Sequence, residues 1–98
     1  MAKTAYRRNR PFVEDMAVCT RHMHNGDEIG LSPRRRAIVR SLNRLATPRQ
    51  REVLYLYYGV GLNLETIGKT LGLHLSSVSR TIRRGENHAR QAMEMVDD

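Results

Sequence analysis

The stretch Leu64-Glu65-Thr66-Ile67-Gly68-Lys69-Thr70-Leu71-Gly72-Leu73-His74-Leu75-Ser76-Ser77-Val78-Ser79-Arg80-Thr81-Ile82-Arg83-Arg84, residues 64–84, decides how this chain is read. Asn63 is a good N-cap for a helix of barely two turns over Leu64–Leu71, with Leu64, Ile67 and Leu71 as its buried positions. Gly72 stops that helix, because a glycine takes the left-handed conformation that a residue with a Cβ resists. A longer helix follows, in which Leu75, Val78, Ile82, Gly85, Ala89, Ala92 and Val96 recur at alternating three- and four-residue spacing. Short helix, tight glycine turn and second helix make a helix-turn-helix: Ile67 and Leu71 pack against Leu73 and Val78, and Gly68 lets the two backbones approach. Gly85, about 1 kcal/mol worse than Ala in a helix, marks an expected bend or fraying point.

Upstream the pattern stays helical. Thr47-Pro48-Arg49-Gln50 places Thr at the N-cap, Pro at the first helical position and Gln at the third, a capping box that opens a helix carrying Val53, Leu54, Leu56, Tyr57 and Tyr58. Gly59-Val60-Gly61 ends it. Ser32-Pro33 starts an earlier helix with a core face of Ile38, Leu42 and Leu45 and a cationic remainder. Before that, Pro11 opens a helix whose stripe is Phe12, Met16, Cys19 and Met23, closed by Asn25-Gly26 and a loop from Asp27 to Ser32. The expectation is an all-α bundle of four to five helices: residues 1–10 a flexible basic arm, 11–46 N-terminal helices, 47–98 the helix-turn-helix with an extended last helix.

At 98 residues the chain has room for one small domain, which excludes any two-lobed catalytic architecture. It has no apolar run of membrane-spanning length and no secretory signal, so a cytoplasmic location is expected, and a single cysteine excludes an internal disulfide. Charge is more telling. Seventeen Lys and Arg stand against ten Asp and Glu, for a net +7, and fifteen of the seventeen are arginine, the side chain suited to bidentate contacts with phosphate or base edges. A polyanionic partner follows, with nucleic acid ahead of a membrane surface; the alternative is a solvated basic face.

The last helix shows where such a partner sits. At about 100° per residue, Leu75, Val78, Ile82 and Gly85 cluster on one side, while Ser76, Arg80, Arg83, Arg84 and Asn87 spread over the other, flanked by Ser77 and Ser79. Small hydroxyl residues in the first turn permit close approach to a major groove, and the arginine fork matches guanine O6 and N7. Arg80 is the first candidate for base readout, with Ser76, Ser79 and Arg83 beside it; Arg84 and Lys69 are candidate phosphate grips. The arm and Arg34, Arg35 and Arg36 are expected to add phosphate or minor-groove contacts.

Residues 45–90 resemble the C-terminal promoter-reading domain of bacterial sigma factors and are similar also to the helix-turn-helix of LuxR-type regulators. The likeness rests on Thr47-Pro48-Arg49-Gln50-Arg51-Glu52-Val53-Leu54, Tyr57-Tyr58-Gly59, Glu65-Thr66-Ile67-Gly68, Leu71-Gly72-Leu73 and Ser77-Val78-Ser79-Arg80-Thr81-Ile82. It implies that Ser76, Ser77, Ser79, Arg80 and Arg83 face double-stranded DNA, and it makes RNA polymerase an implied partner. The sequence departs from the pattern at Gly68, where the family usually has Ala, and at His74 and Leu75, where it has a small hydroxyl residue or Pro. Residues 1–44 have no room for a promoter-melting domain, nor the chain for a receiver domain. The expectation is therefore a free-standing sigma-like DNA-binding regulator, in a bacterial nucleoid or a phage-infected cell. The other class of reading is an interaction module that docks on polymerase or a sigma factor without reading sequence.

Other chemistry finds little support. Cys19, His22 and His24, with His74 or His88 as a remote fourth, match no standard zinc spacing and read as a buried thiol beside exposed imidazoles. Glu14 and Asp15 are adjacent and diverge on a helix, and neither a phosphate-cradling loop nor a nucleophile elbow occurs, so no enzyme and no cofactor are expected. Tyr55, Tyr57 and Tyr58 read as core packing with exposed hydroxyls rather than as stacking platforms. The long apolar stripe from Leu75 to Val96 either covers the chain's own N-terminal helices or pairs with a second copy as a homodimer.

Overall fold

The computed structural model describes residues 10–96, and among them all regular structure is helical. The elements are α1 (Arg10–Asn25), α2 (Pro33–Leu45), α3 (Pro48–Leu54) running directly into a π-helical turn (Tyr55–Val60), α4 (Leu64–Leu71) and α5 (Leu75–Glu94). The basic arm lies outside the described residues except for Arg10, which is already helical. None of these helices is long and apolar enough to cross a membrane.

The start signals act as their chemistry requires. Ser32 accepts from the Arg35 N–H, Thr47 and Gln50 form the reciprocal capping box, and Asn63 accepts from the Thr66 N–H. Two helix ends are closed from a distance: Arg51 donates to the Ala46 carbonyl (2.7 Å) and Arg49 to the Leu71 carbonyl (3.2 Å), satisfying oxygens that lie at or just past a last helical turn.

One apolar cluster joins all five helices, with Phe12, Met16, Cys19, Ile38, Leu42, Val53, Leu54, Ile67, Val78, Ile82 and Ala89 in it. The α1 stripe is buried as its spacing predicts. The α5 stripe is covered by the chain's own α2, α3 and α4, so Val78, Ile82, Ala89 and Ala92 are already buried without a second copy. Leu45 departs from expectation: it is the last residue of α2 and is 47% exposed.

Gly85 also departs. Helix α5 runs unbroken through it, and the Leu54 methyl groups fill the space where a side chain would project, 2.6 Å from the position of a Cβ. The residue is a notch that seats α3 on α5, and its low helix propensity is the consequence of that packing.

Asp15, Tyr58 and Glu86 are buried in ways that spacing does not disclose, and Cys19 is buried as its place in the α1 stripe predicts. Asp15 receives Arg34 and, at 2.8 Å, the Arg35 Nε. The Tyr58 hydroxyl donates to the buried carboxylate of Glu86, so this tyrosine's hydroxyl is inside and not exposed. Cys19 is fully buried, its Sγ 3.6 Å from the Arg35 carbonyl, and desolvation, aided by nearby Asp15, pushes its thiol up to about 12. The other two members of the considered metal set are engaged elsewhere. His22 Nδ1 lies 2.6 Å from Asp27, and His24 stacks on Tyr55 at 3.8 Å between ring centroids.

The π-helical turn is where α1 docks. Arg21 donates to the Gly59 carbonyl (3.1 Å), Phe12 meets Tyr58 edge to face at 6.5 Å, and Arg90 from α5 lies 4.2 Å over the Phe12 ring.

Two outcomes follow from this packing. Gly85→Ala lowers stability in urea unfolding by about 1–3 kcal/mol although Ala is the better helix former, because the added methyl meets Leu54; combining it with Leu54→Ala makes the two effects less than additive. Cys19 resists a disulfide reagent at pH 8 in the native protein and reacts at once when urea unfolds it; equal rates in both states would contradict its burial.

Candidate nucleic-acid interface

The aim of α5 is set by how α4 is clamped to it. Ile67 on α4 and Val78 on α5 are both fully buried. Between the helices, Gly72 adopts φ +71° and the Leu73 N–H donates to the Gly68 carbonyl at 2.8 Å. A Cβ on Gly68 would stand 2.8 Å from the Leu73 carbonyl oxygen, so the turn backbone occupies the space a side chain would need. Leu64 and Leu71, expected in the core, are only half-buried, and Ile67 is the principal anchor of this short helix.

Helix α5 begins with an unusual cap. His74 has extended backbone (φ −72°, ψ 149°), and its Nδ1 accepts the backbone N–H of Ser76 at 3.1 Å and lies 2.9 Å from the Ser76 hydroxyl. A ring nitrogen that accepts an N–H carries no proton of its own, so the neutral ring holds its hydrogen on Nε2. The imidazole thus does the work that Ser, Thr or Asn does at the other helix starts.

Behind this cap, Ser76, Arg80, Arg83, Arg84 and Asn87 are exposed, and Ser77 and Ser79 are half-buried at the edges of the same surface. Arg80 donates to the Ser77 hydroxyl at 3.5 Å, a long contact within one turn. Among the described residues, Arg80, Arg83 and Arg84 form no ion pair. Glu86, the carboxylate that follows them in sequence, is turned inward onto Tyr58. Lys69 is exposed on α4.

Arg34, Arg35 and Arg36 are disposed differently. Arg34 and Arg35 hold Asp15, while Arg36 donates to the Leu31 carbonyl at 2.7 Å. Further along α2, Arg40 makes two bonds to Glu28, at 2.9 and 3.0 Å, and this pair holds the Glu28 carboxyl below its ordinary range. These arginines tie α1 and the α1–α2 loop to α2, an ordering that a count of charges along the sequence does not show. Leu75 departs in the opposite sense. It belongs to the apolar stripe by spacing, yet as the first residue of α5 it is 47% exposed, while Val78 and Ile82 of the same stripe are buried.

A family model for sigma-70, region 4 matches residues 41–91, just over half the chain, from within α2 almost to the end of α5. Neither a curated protein nor a solved structure matches the chain.

The cap carries its own test. His74→Ala removes the acceptor for Ser76 and lowers stability by about 0.5–2 kcal/mol, with faster amide exchange in the first turn of α5, whereas His74→Ser keeps both close to the parent protein.

Proposed function

Because the chain belongs to the sigma-70 region 4 family, whose helix-turn-helix domains bind DNA, we propose that it is a sequence-specific reader of double-stranded DNA that regulates transcription. One observation carries this reading. The outer face of α5 presents three arginines without ion pairs among the described residues, at the helix a helix-turn-helix lays in the major groove, while the arginines of α2 facing Asp15 and Glu28 are neutralised within the fold.

In this reading Arg80 makes the bidentate contact to guanine O6 and N7. Ser76, Ser77, Ser79 and Arg83 take neighbouring base edges, and Arg84 and Lys69 grip phosphates and set the register. Arg34, Arg35 and Arg36 are assigned to the α1–α2 clasp, so the phosphate role expected of them passes to α4 and α5. With its apolar stripe covered by its own helices, the protein reads one asymmetric site as a monomer. The domain is non-catalytic in this reading.

A second reading, docking on RNA polymerase, draws on the open cleft between the ends of α1 and α2 and the start of α3, lined by Met23, Asn43, Pro48, Arg49 and Glu52. It is compatible with the first, because the cleft lies on elements other than α5.

Selection of duplexes from a random library at near-physiological salt, followed by sequencing, tests the reading. One asymmetric motif is expected, whereas no enrichment would leave only the docking function. On the enriched duplex Arg80→Ala costs about 1–3 kcal/mol and little on random DNA, while Arg84→Ala weakens both alike and lowers the salt slope by about 1.

A further inference from the structure

Leu75 is an aliphatic side chain standing in a polar surface. It is 47% exposed at the first position of α5, whereas Val78, Ile82 and Ala89 of the same stripe are 0%, 3% and 0% exposed. Its neighbours along the helix row, at four and eight residues, are Ser79 and Arg83, which border the row of Ser76 and Arg80. The Cα–Cβ bonds of a helix tilt toward its N-terminus, so this side chain lies over the leading tip of α5, ahead of the serines. The His74 cap fixes the backbone on which it stands.

The first turn of a recognition helix is the part that reaches base edges. A leucine there offers neither a donor nor an acceptor, so it gains nothing from the polar atoms of a base and loses by covering them. The major groove displays one apolar group on its base edges, the C5-methyl of thymine. Shape and chemistry therefore select a partner for this side chain.

We propose that Leu75 is a specificity-determining residue that packs on the C5-methyl group of a thymine in the bound site, at the edge of the surface that its row shares with Ser79 and Arg83. The inference rests on the DNA-reading function proposed above and adds to it one base identity that no hydrogen bond supplies.

The test replaces each thymine of the enriched duplex in turn by deoxyuridine, which removes the methyl group and leaves every hydrogen-bonding atom in place. For the parent protein one position, or two adjacent ones, loses about fourfold in affinity, the worth of one buried methyl. Leu75→Ala binds the thymine duplex correspondingly less well and no longer distinguishes it from the deoxyuridine duplex. Leu75→Met, which keeps an apolar reach, retains the distinction. The salt dependence is the same for all three proteins, because no phosphate contact changes. An enriched duplex indifferent to deoxyuridine at every position, or one whose sensitivity persists in Leu75→Ala, overturns this inference and leaves the reading of DNA standing. Failure to enrich any duplex overturns both. Since the deoxyuridine series leaves the protein unaltered, its outcome does not depend on how well a variant folds.

Discussion

A carboxylate buried in a small helical protein must be paired, and Asp15 is the carboxylate on which this one is organised. It sits on the inner side of α1, among Phe12, Met16 and Cys19, where an unpaired charge would be too costly to keep. Arg34 and Arg35 from the start of α2 answer it. Their commitment brings α1 and α2 together at one end, and Glu28 with Arg40 fastens the connecting loop farther along. With α1 so held, its apolar stripe closes the core and the π-helical turn finds its partner in Arg21 and His24. The same pairing sorts the charge of the molecule. A chain with seven more basic than acidic residues divides its arginines into those that build the fold and those on α5 that remain outside it.

What spacing and end signals disclose is local. The α1 stripe, the capping box at Thr47, the Asn63 cap and the glycine turn at Gly72 are short-range chemistry, and each appears where the sequence places it. What spacing conceals depends on where a neighbour ends. Leu45 and Leu75 obey the apolar period and are half-exposed because one ends its helix and the other begins it. Gly85 reads as a weakness until Leu54, thirty-one residues earlier, is seen in its notch. Glu86 and Tyr58 are charged and polar by type and buried by mutual satisfaction. Nothing in Tyr55–Val60 announces a π-helical turn, and the segment packs against α1.

For the candidate interface the division falls in the same place. The outer face of α5 is legible because it is a single helix with a fixed angular period, and the exposure of Ser76, Arg80, Arg83 and Arg84 follows from that period. The placement of Arg34 and Arg35 is not, because it is decided by a carboxylate about twenty residues away.

The two halves of α5 stand in different surroundings, and the proposed reading of DNA makes different demands on them. Its C-terminal half is held by α2 and α3 through Ala89, Ala92 and the Gly85 notch, and by α1 through Arg90 on Phe12, so the helix axis is fixed by the core. Its N-terminal turn is backed by α4 through the buried Val78 and opened by the His74 cap, with Leu75 and Ser76 exposed. A recognition surface needs rigidity without coverage, since a side chain must arrive at a base edge already oriented and yet be unobstructed. Anchoring one end of a long helix and capping the other supplies both. In the proposed function, the length of α5 beyond what the turn motif requires is therefore the lever arm by which a core of this size holds the reading surface steady.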